Sequence, residues 1–180
     1  VEKIKNLNEI DESITFATVM PDQLVTAGQM IATMKVIPYA VSKSSVDAAL
    51  SVILNSVLVS CRAIVSRKFS LIQTSFEDTK PSILSATEDV TRTRLSQLNC
   101  PLIDSQLTAH EASEVHEALM RGRNLGAEAF LLCGASAIAD RLDILPEALR
   151  MVGGEVIHLG LPVDPGNLSM VGQWDDMLVL

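Results

Sequence analysis

Short apolar runs alternate with longer amphipathic segments after residue 66, and this order restricts the fold more than any other feature of the chain. The runs at 69–74, 129–133 and 156–161 have the length and aliphatic content of buried strands. The segments between them carry apolar residues at helical spacing. Strands that alternate with helices through short connections form a mostly parallel sheet covered by helices. We therefore expect a three-layer α/β/α domain over residues 67–180.

The amphipathic segments predict helices at 83–98, 108–125 and 147–152. Thr108 and Glu111 have the spacing of a capping box, which places the start of the second helix at Thr108. Three further short strands are expected, at residues 100–103, 168–171 and 177–180.

The first third of the chain has a different pattern and predicts a β-β-α appendage over residues 1–66. Strand-like sequence at 13–19 and 30–39 is separated by Pro and Gly turn signals. Apolar residues then recur at helical spacing from Val46 to Val57. A short polar helix at 4–10 is expected ahead of the first strand. We interpret this part as structural.

The composition excludes several classes of function. A net charge of −8 with only four Phe, one Trp and one Tyr argues against a general nucleic-acid binder, which needs a basic surface and aromatic stacking platforms. The chain has no apolar run long enough to span a membrane. Three widely spaced cysteines form no metal-binding pattern and fit a reducing cytoplasm. The chain lacks an initial Met and stops within an apolar run, so we expect it to be a piece of a longer protein.

Ligands of open α/β sheets bind beyond the carboxyl ends of the strands, which draws attention to three loops. The first, at 75–82, holds Ser75 and Lys80 before a helix start. Hydroxyl and backbone N–H groups there, with the charge of Lys80, can bind an anion. An ordinary capped loop explains the same residues.

The second loop follows an apolar strand and has the most specific composition. Small residues over Gly134, Ala135, Ser136 and Ala137 allow a ligand to approach the backbone closely. Two carboxylates come next, and they can either hold Mg²⁺ against a phosphate or cap the following helix: Asp140 and Asp143.

The third loop contains Pro165, Gly166 and Asn167, a turn by composition that can also clamp a ligand. The histidines do not cluster in the sequence, and we interpret His110, His116 and His158 as solvated or packing residues. Hydrolase-elbow, Walker and dinucleotide-binding motifs are absent from the sequence.

The three loops occur in an order that resembles the molybdopterin-binding domain family. The run LLCGASA followed by DRLDILPEAL is similar to that family's strand, GGTG loop and Asp-x-Thr-Pro-Glu-Ala helix start. The segment VIHLGLPVDPGNL is similar to a strand and Pro-Gly-Lys turn of the molybdotransferase branch. The resemblance covers residues 67–180 and implies a three-layer α/β fold. It also implies that the ligand is molybdopterin, bound at the strand ends.

The resemblance assigns expected roles by position. Gly134, Ala135, Ser136 and Ala137 would cradle the ligand, with Ser75, Lys80, Pro165, Gly166 and Asn167 as further binding residues. Asp143, with Asp140 nearby, would be the catalytic or Mg²⁺-binding carboxylate, and Glu111 is the nearest candidate for a second acidic residue. Lys80, Arg141 and backbone N–H groups would compensate the ligand's phosphate against the acidic protein.

The sequence departs from the family at four places. GASA replaces GGTG, one extra residue precedes Asp143, Leu145 replaces the helix-start Thr, and Asn167 replaces the turn's Lys. The family's Gly-x-Pro-Gly loop would follow Leu180.

Three hypotheses about function stay open at this stage. The first is an enzyme of molybdenum cofactor assembly, transferring adenylyl to molybdopterin or inserting molybdate. The second is a module that binds a pterin or nucleotide without chemistry of its own, and the third is an oligomerisation domain. The resemblance further implies a homo-dimer or trimer, and a nucleotidyltransferase-like domain elsewhere in a longer chain.

Overall fold

The computed structural model describes residues 2–180, which form two compact units. The first unit ends at Ala63 and the second begins at Ile64. Among the described residues, no helix is both long enough and apolar enough to cross a membrane.

The first unit contains two helices and a two-stranded sheet. Its elements are, in chain order, α1 (Glu2–Asn8), β1 (Ile14–Thr18), β2 (Ala32–Val36) and α2 (Lys43–Leu54). The strands pair antiparallel, with Ile14 opposite Val36. This order contains the expected β-β-α unit, with the short helix α1 ahead of it.

The side-chain amide of Asn8 joins α1 to β1 by forming two hydrogen bonds with the backbone of Phe16, as a paired strand would. Its Nδ2 donates to the carbonyl of Phe16 at 2.9 Å, and its Oδ1 accepts from the N–H of Phe16 at 2.7 Å. A core of Leu7, Ile14 and Ala49 joins α1, β1 and α2. Ser42 caps α2 by accepting from the N–H of Ser45.

The second unit is an α/β domain with a six-stranded sheet. Its elements are, in chain order, β3 (Phe69–Ser75), α3 (Pro81–Gln97), β4 (Leu102–Ala109), α4 (Ala112–Asn124), β5 (Ala129–Cys133), α5 (Ile144–Met151), β6 (Glu155–Leu159), β7 (Met170–Trp174) and β8 (Met177–Val179). The strand order is β4-β3-β5-β8-β7-β6. Pairing is parallel from β4 to β8, and β7 is antiparallel to both of its neighbours. The expected fold class, a mostly parallel α/β/α sandwich, is confirmed.

Right-handed crossovers place the helices on both faces of the sheet. The chain moves outward from β3 to β4 and then back across β3 to β5, so α3 and α4 lie on opposite faces. On one face, Ser105 donates to Glu88 of α3, and on the other Gln106 donates to the carbonyl of Ala118 in α4. The main core lies between α4, α5 and the sheet, and includes Ile72, Val115, Leu119, Phe130, Leu149 and Val179.

The strand β4 corrects the sequence prediction for this region. It runs through Thr108, which is buried, and α4 begins only at Ala112. Glu111 is the N-cap residue of α4 but makes no side-chain capping bond, so the capping box with Thr108 was wrong. The sequence predicted this strand only over residues 100–103. Its continuation was missed because the less exposed positions beyond 103 are the polar residues Asp104, Gln106 and Thr108, which hides the apolar pattern of a strand.

Two glycines allow α5 to pack closely on the sheet. A Cβ at Gly154 or at Gly172 would lie 2.3 Å from a methyl carbon of Leu149. Leu149 is fully buried, and a Cβ at Gly172 would also meet the carbonyl oxygen of Glu155 at 3.1 Å. The close packing of α5 against the sheet therefore requires glycine, which has no side chain, at positions 154 and 172.

Replacing Gly172 by Ala is expected to lower the free energy of unfolding by about 1–3 kcal/mol, because the added methyl overpacks Leu149. Urea denaturation of Gly172→Ala measures this cost. In the Leu149→Ala background the same substitution should cost less, since the colliding methyl groups are gone. Equal costs in the two backgrounds would contradict this packing.

Candidate functional site

The carboxyl ends of β3, β4 and β5 bring three segments together at one edge of the sheet. These strands are adjacent and parallel, so Ser75, Ala109 and Cys133 end them at the same side. The loop at 134–143 follows β5 directly. The sheet thus positions the loop that the resemblance assigned to ligand binding.

The start of this loop is tied to β3 through a buried hydroxyl. The N–H of Ala135 donates to Oγ1 of Thr74 at 2.8 Å, and Thr74 is 2% exposed. A Cβ at Gly134 would lie 2.7 Å from the carbonyl oxygen of Ser136 and 3.1 Å from Leu145. The tight course of the loop therefore requires glycine at 134.

A cavity of about 230 Å³ lies beyond the ends of β5 and β8. Gly134, Ser136 and Ala137 line it from the loop after β5. Ser169 and neighbouring residues line it from the segment that enters β7. The other lining residues are apolar: Leu132, Ile138, Leu145, Leu168, Met170 and Leu180. The second loop that the sequence indicated therefore lines the cavity. The segment directly after the third loop, residues 168–170, lines the same cavity.

Backbone donors are free in this loop. Among residues 2–180, the N–H groups of Ser136 and Ala137 make no hydrogen bond. Both residues are exposed and line the cavity. The loop can therefore offer these two N–H groups to a ligand.

Asp143 is the N-cap of α5 and closes the loop. One carboxylate oxygen accepts from the N–H of Ala139 and the other from the N–H of Ile144, both at 2.9 Å. These two backbone hydrogen bonds, and more weakly the nearby His110, hold the pKa of the Asp143 carboxyl below its usual value, against a small opposing effect of desolvation. Leu145, which occupies the position of the family's Thr, leaves capping to Asp143.

Asp140 also serves the loop, since its Oδ1 accepts from the N–H of Leu142 at 2.6 Å. Within residues 2–180, no group of three His, Cys, Asp or Glu side chains comes together to hold a metal ion. With the Asp143 oxygens already bonded, the donor set does not fit a Mg²⁺ held by protein ligands. The catalytic and metal-binding roles of Asp140 and Asp143 stay predictions.

The first loop lies beside the site but does not line the cavity. Ser75 is half-buried at the end of β3, and Lys80 is exposed at the N-cap of α3 without a side-chain capping bond. Oγ1 of Thr79 accepts from the N–H of Phe76 and closes the turn. Neither Ser75 nor Lys80 is brought to the cavity.

The third loop folds back on itself. Gly160 donates to Ser169, and Leu161 donates to Gly166, across a turn that contains a cis Asp164–Pro165 peptide bond. Pro165, Gly166 and Asn167 lie outside the cavity lining, whereas Leu168 to Met170 directly after them belong to it.

Arg141, which was expected to compensate the charge of a ligand phosphate, instead forms a hydrogen bond with the backbone of β6. Its guanidinium donates to the carbonyl of Val156 at 2.8 Å, which ties the loop to β6. In the described part of the chain, no cationic side chain lines the cavity.

His110 is the site residue that the sequence interpretation missed. It directly follows β4 and precedes α4, so it does not share a helix with His116. Its Nδ1 lies 2.7 Å from Oγ1 of Thr74, and its Nε2 lies 2.9 Å from Oγ of Ser136. A correct assignment of β4 would have placed His110 at the carboxyl edge of the sheet, beside the loop after β5.

Comparisons with known proteins add little to this geometry. No protein-family model matches the chain, and no curated protein is similar to it. Among solved structures, the chain is similar to one described as "anomalous substructure of MogA", at 17% identity and a TM-score of 0.34. The match covers 63% of this chain and 80% of that one. The fold class therefore rests on the strand order itself.

The Asp143→Asn variant is expected to be less stable than the wild type at pH 7, by about 0.5–1.5 kcal/mol, because the single amide oxygen can replace only one of the two carboxylate oxygens that accept backbone hydrogen bonds. The lowered pKa of Asp143 means that the ionised carboxylate stabilises the fold above the ordinary Asp pKa of about 4. That stabilisation is lost as the pH falls through the folded-state pKa, so the difference between the variants should shrink there. Urea denaturation at several pH values measures it.

The matched control is Asp176→Asn, an exposed carboxylate in the turn between β7 and β8. Its stability should follow the wild type at every pH. If Asp143→Asn did so as well, the capping role of Asp143 would be refuted.

Proposed function

We propose that the second unit binds molybdopterin, or a related phosphorylated pterin or nucleotide, in the cavity beyond β5 and β8. The observation that carries the proposal is the convergence of two segments on this cavity. Gly134, Ser136 and Ala137 belong to the loop that resembles GGTG, and Ser169 follows the Pro-Gly-Asn turn closely. The first segment holds residues that the resemblance assigns to ligand binding, whereas the second lies directly after the assigned turn, whose residues Pro165, Gly166 and Asn167 stay outside the lining.

The size and lining of the cavity favour the ring system of such a ligand. About 230 Å³ is less than the roughly 300–1,000 Å³ typical of sites for whole drug-sized ligands. Most of the lining side chains are apolar, but backbone and hydroxyl groups supply the larger share of the cavity surface, which suits a flat heterocycle with polar edges. The free N–H groups of Ser136 and Ala137 are available to oxygens at the exposed side of the ligand. The phosphate would then lie outside the apolar part of the cavity.

Binding without chemistry is the form of the function that the geometry favours. Both Asp143 oxygens accept backbone hydrogen bonds, so this carboxylate stabilises the loop and the start of α5. Adenylyl transfer with Mg²⁺ would rest on one or two carboxylates together with the ligand's own phosphate oxygens, since residues 2–180 hold no cluster of three metal-binding side chains.

Calorimetry with molybdopterin tests the proposal. Wild-type protein should bind saturably, and Ala137→Trp should weaken binding by at least about tenfold, or ~1.4 kcal/mol, because the indole fills the cavity. Ala137 is exposed, so the variant should still fold. Leu142→Trp is the matched control, since Leu142 is 84% exposed and lies outside the cavity.

Two results would contradict the proposal: no binding by the wild type, or equal binding by wild type and Ala137→Trp. Adding ATP and Mg²⁺ to the same samples separates the hypotheses on chemistry. Binding without an adenylylated product supports the module, whereas a product that disappears in Asp143→Asn supports the enzyme.

A further inference from the structure

Thr74, His110 and Ser136 form a continuous hydrogen-bonded chain that ends at the cavity. They come from the ends of three neighbouring strands: Thr74 from β3, His110 after β4 and Ser136 after β5. The Thr74–His110 contact is 2.7 Å and the His110–Ser136 contact is 2.9 Å. The ring of Phe76 packs edge-on against His110, with the centroids 5.0 Å apart. The imidazole is therefore held at both nitrogens and at one face.

The position of each proton in this hydrogen-bonded series can be assigned by starting from its buried end, the hydroxyl of Thr74. The N–H of Ala135 can only donate, so it occupies one acceptor position of Oγ1 of Thr74. Thr74 is 2% exposed, and its hydroxyl proton needs an acceptor. Within residues 2–180, the acceptor at hydrogen-bond distance is Nδ1 of His110. The hydrogen-bond network thus assigns neutral His110 the tautomer with its proton on Nε2.

This tautomer sets the direction of the last contact. Nε2–H of His110 donates to Oγ of Ser136, so the hydroxyl proton of Ser136 is left for another acceptor. Ser136 is exposed and lines the cavity. The same direction argues against Ser136 as an activated nucleophile, because an Nε2 that already carries a proton cannot remove one from the hydroxyl.

We propose that Thr74 and His110 are positioning residues that present Ser136 as a hydrogen-bond donor to an uncharged acceptor on the bound ligand. An uncharged acceptor is favoured because, of the side chains in residues 2–180, none that lines the cavity is cationic. A carbonyl oxygen or ring nitrogen of a heterocycle has this chemistry. The ligand part of this inference rests on the proposed function, and the proton assignment does not.

The tautomer of His110 is the direct test. Long-range ¹H–¹⁵N correlation spectra of the full chain distinguish Nε2–H from Nδ1–H, and the His110→Gln variant assigns the signal among the three histidines. The Nε2–H form is expected at a pH where His110 is neutral, and Ser136→Ala should preserve it because Thr74 still sets the direction. An Nδ1–H form would overturn the proposal.

Binding measurements with pterin, the unphosphorylated heterocycle, test the consequence. Thr74→Val and Ser136→Ala are each expected to weaken binding by about three- to tenfold, the effect of one lost hydrogen bond. Thr74→Ser keeps the hydroxyl and should restore both the tautomer and the affinity. Far-UV circular dichroism identifies variants that fail to fold, and Thr74→Ser remains informative if Thr74→Val is one of them.

The outcomes separate the two proposals. Absence of pterin and molybdopterin binding by wild type, with His110 in the Nε2–H form, would refute the proposed function and the ligand role of Ser136 while leaving the proton assignment correct. Binding that is unaffected by Ser136→Ala would overturn the inference and leave the proposed function in place.

Discussion

The second unit depends on the strand β3, which is paired on both edges and buried on both faces. Parallel neighbours on each side fix the register of β4 and β5 against it. From Ser70 to Thr74 every residue of β3 is buried, including two hydroxyls and one amide. Because a buried polar group needs a hydrogen-bond partner, these side chains fix the positions of the neighbouring groups that bond to them. Ser70 bonds to Asp104 of β4, and Thr74 bonds to the loop after β5.

The same requirement connects the fold to the site. Thr74 could not be buried at the end of β3 without partners, and Ala135 and His110 supply them. Through these contacts the start of the GASA loop is tied to β3, and the imidazole of His110 lies next to the hydroxyl of Ser136, which lines the cavity. The satisfied hydroxyl of one core residue thus gives the loop a definite course, and it gives His110 a definite direction of hydrogen bonding.

The carboxylates show how local hydrogen bonding restricts chemistry. Asp143 follows a loop of small residues, at a position where the sequence allows a metal ligand but where an Asp before a helix is more often a cap. In the structure its two oxygens accept from Ala139 and Ile144, which makes it part of the support of α5. Within residues 2–180, the N–H groups of Ser136 and Ala137 make no hydrogen bond, and both residues line the cavity.

The sequence by itself determined the α/β class, most strands and helices, and the loop that lines the cavity. These follow from local properties: apolar runs, helical spacing and small residues after a strand. It misplaced the end of β4, because an edge strand with alternating polar residues and a Thr-x-x-Glu spacing looks like a capped helix. Only the tertiary structure decided that His110 meets Thr74 and Ser136. Those contacts join residues from three strands whose order in the sheet differs from their order in the chain, so no local pattern carries them.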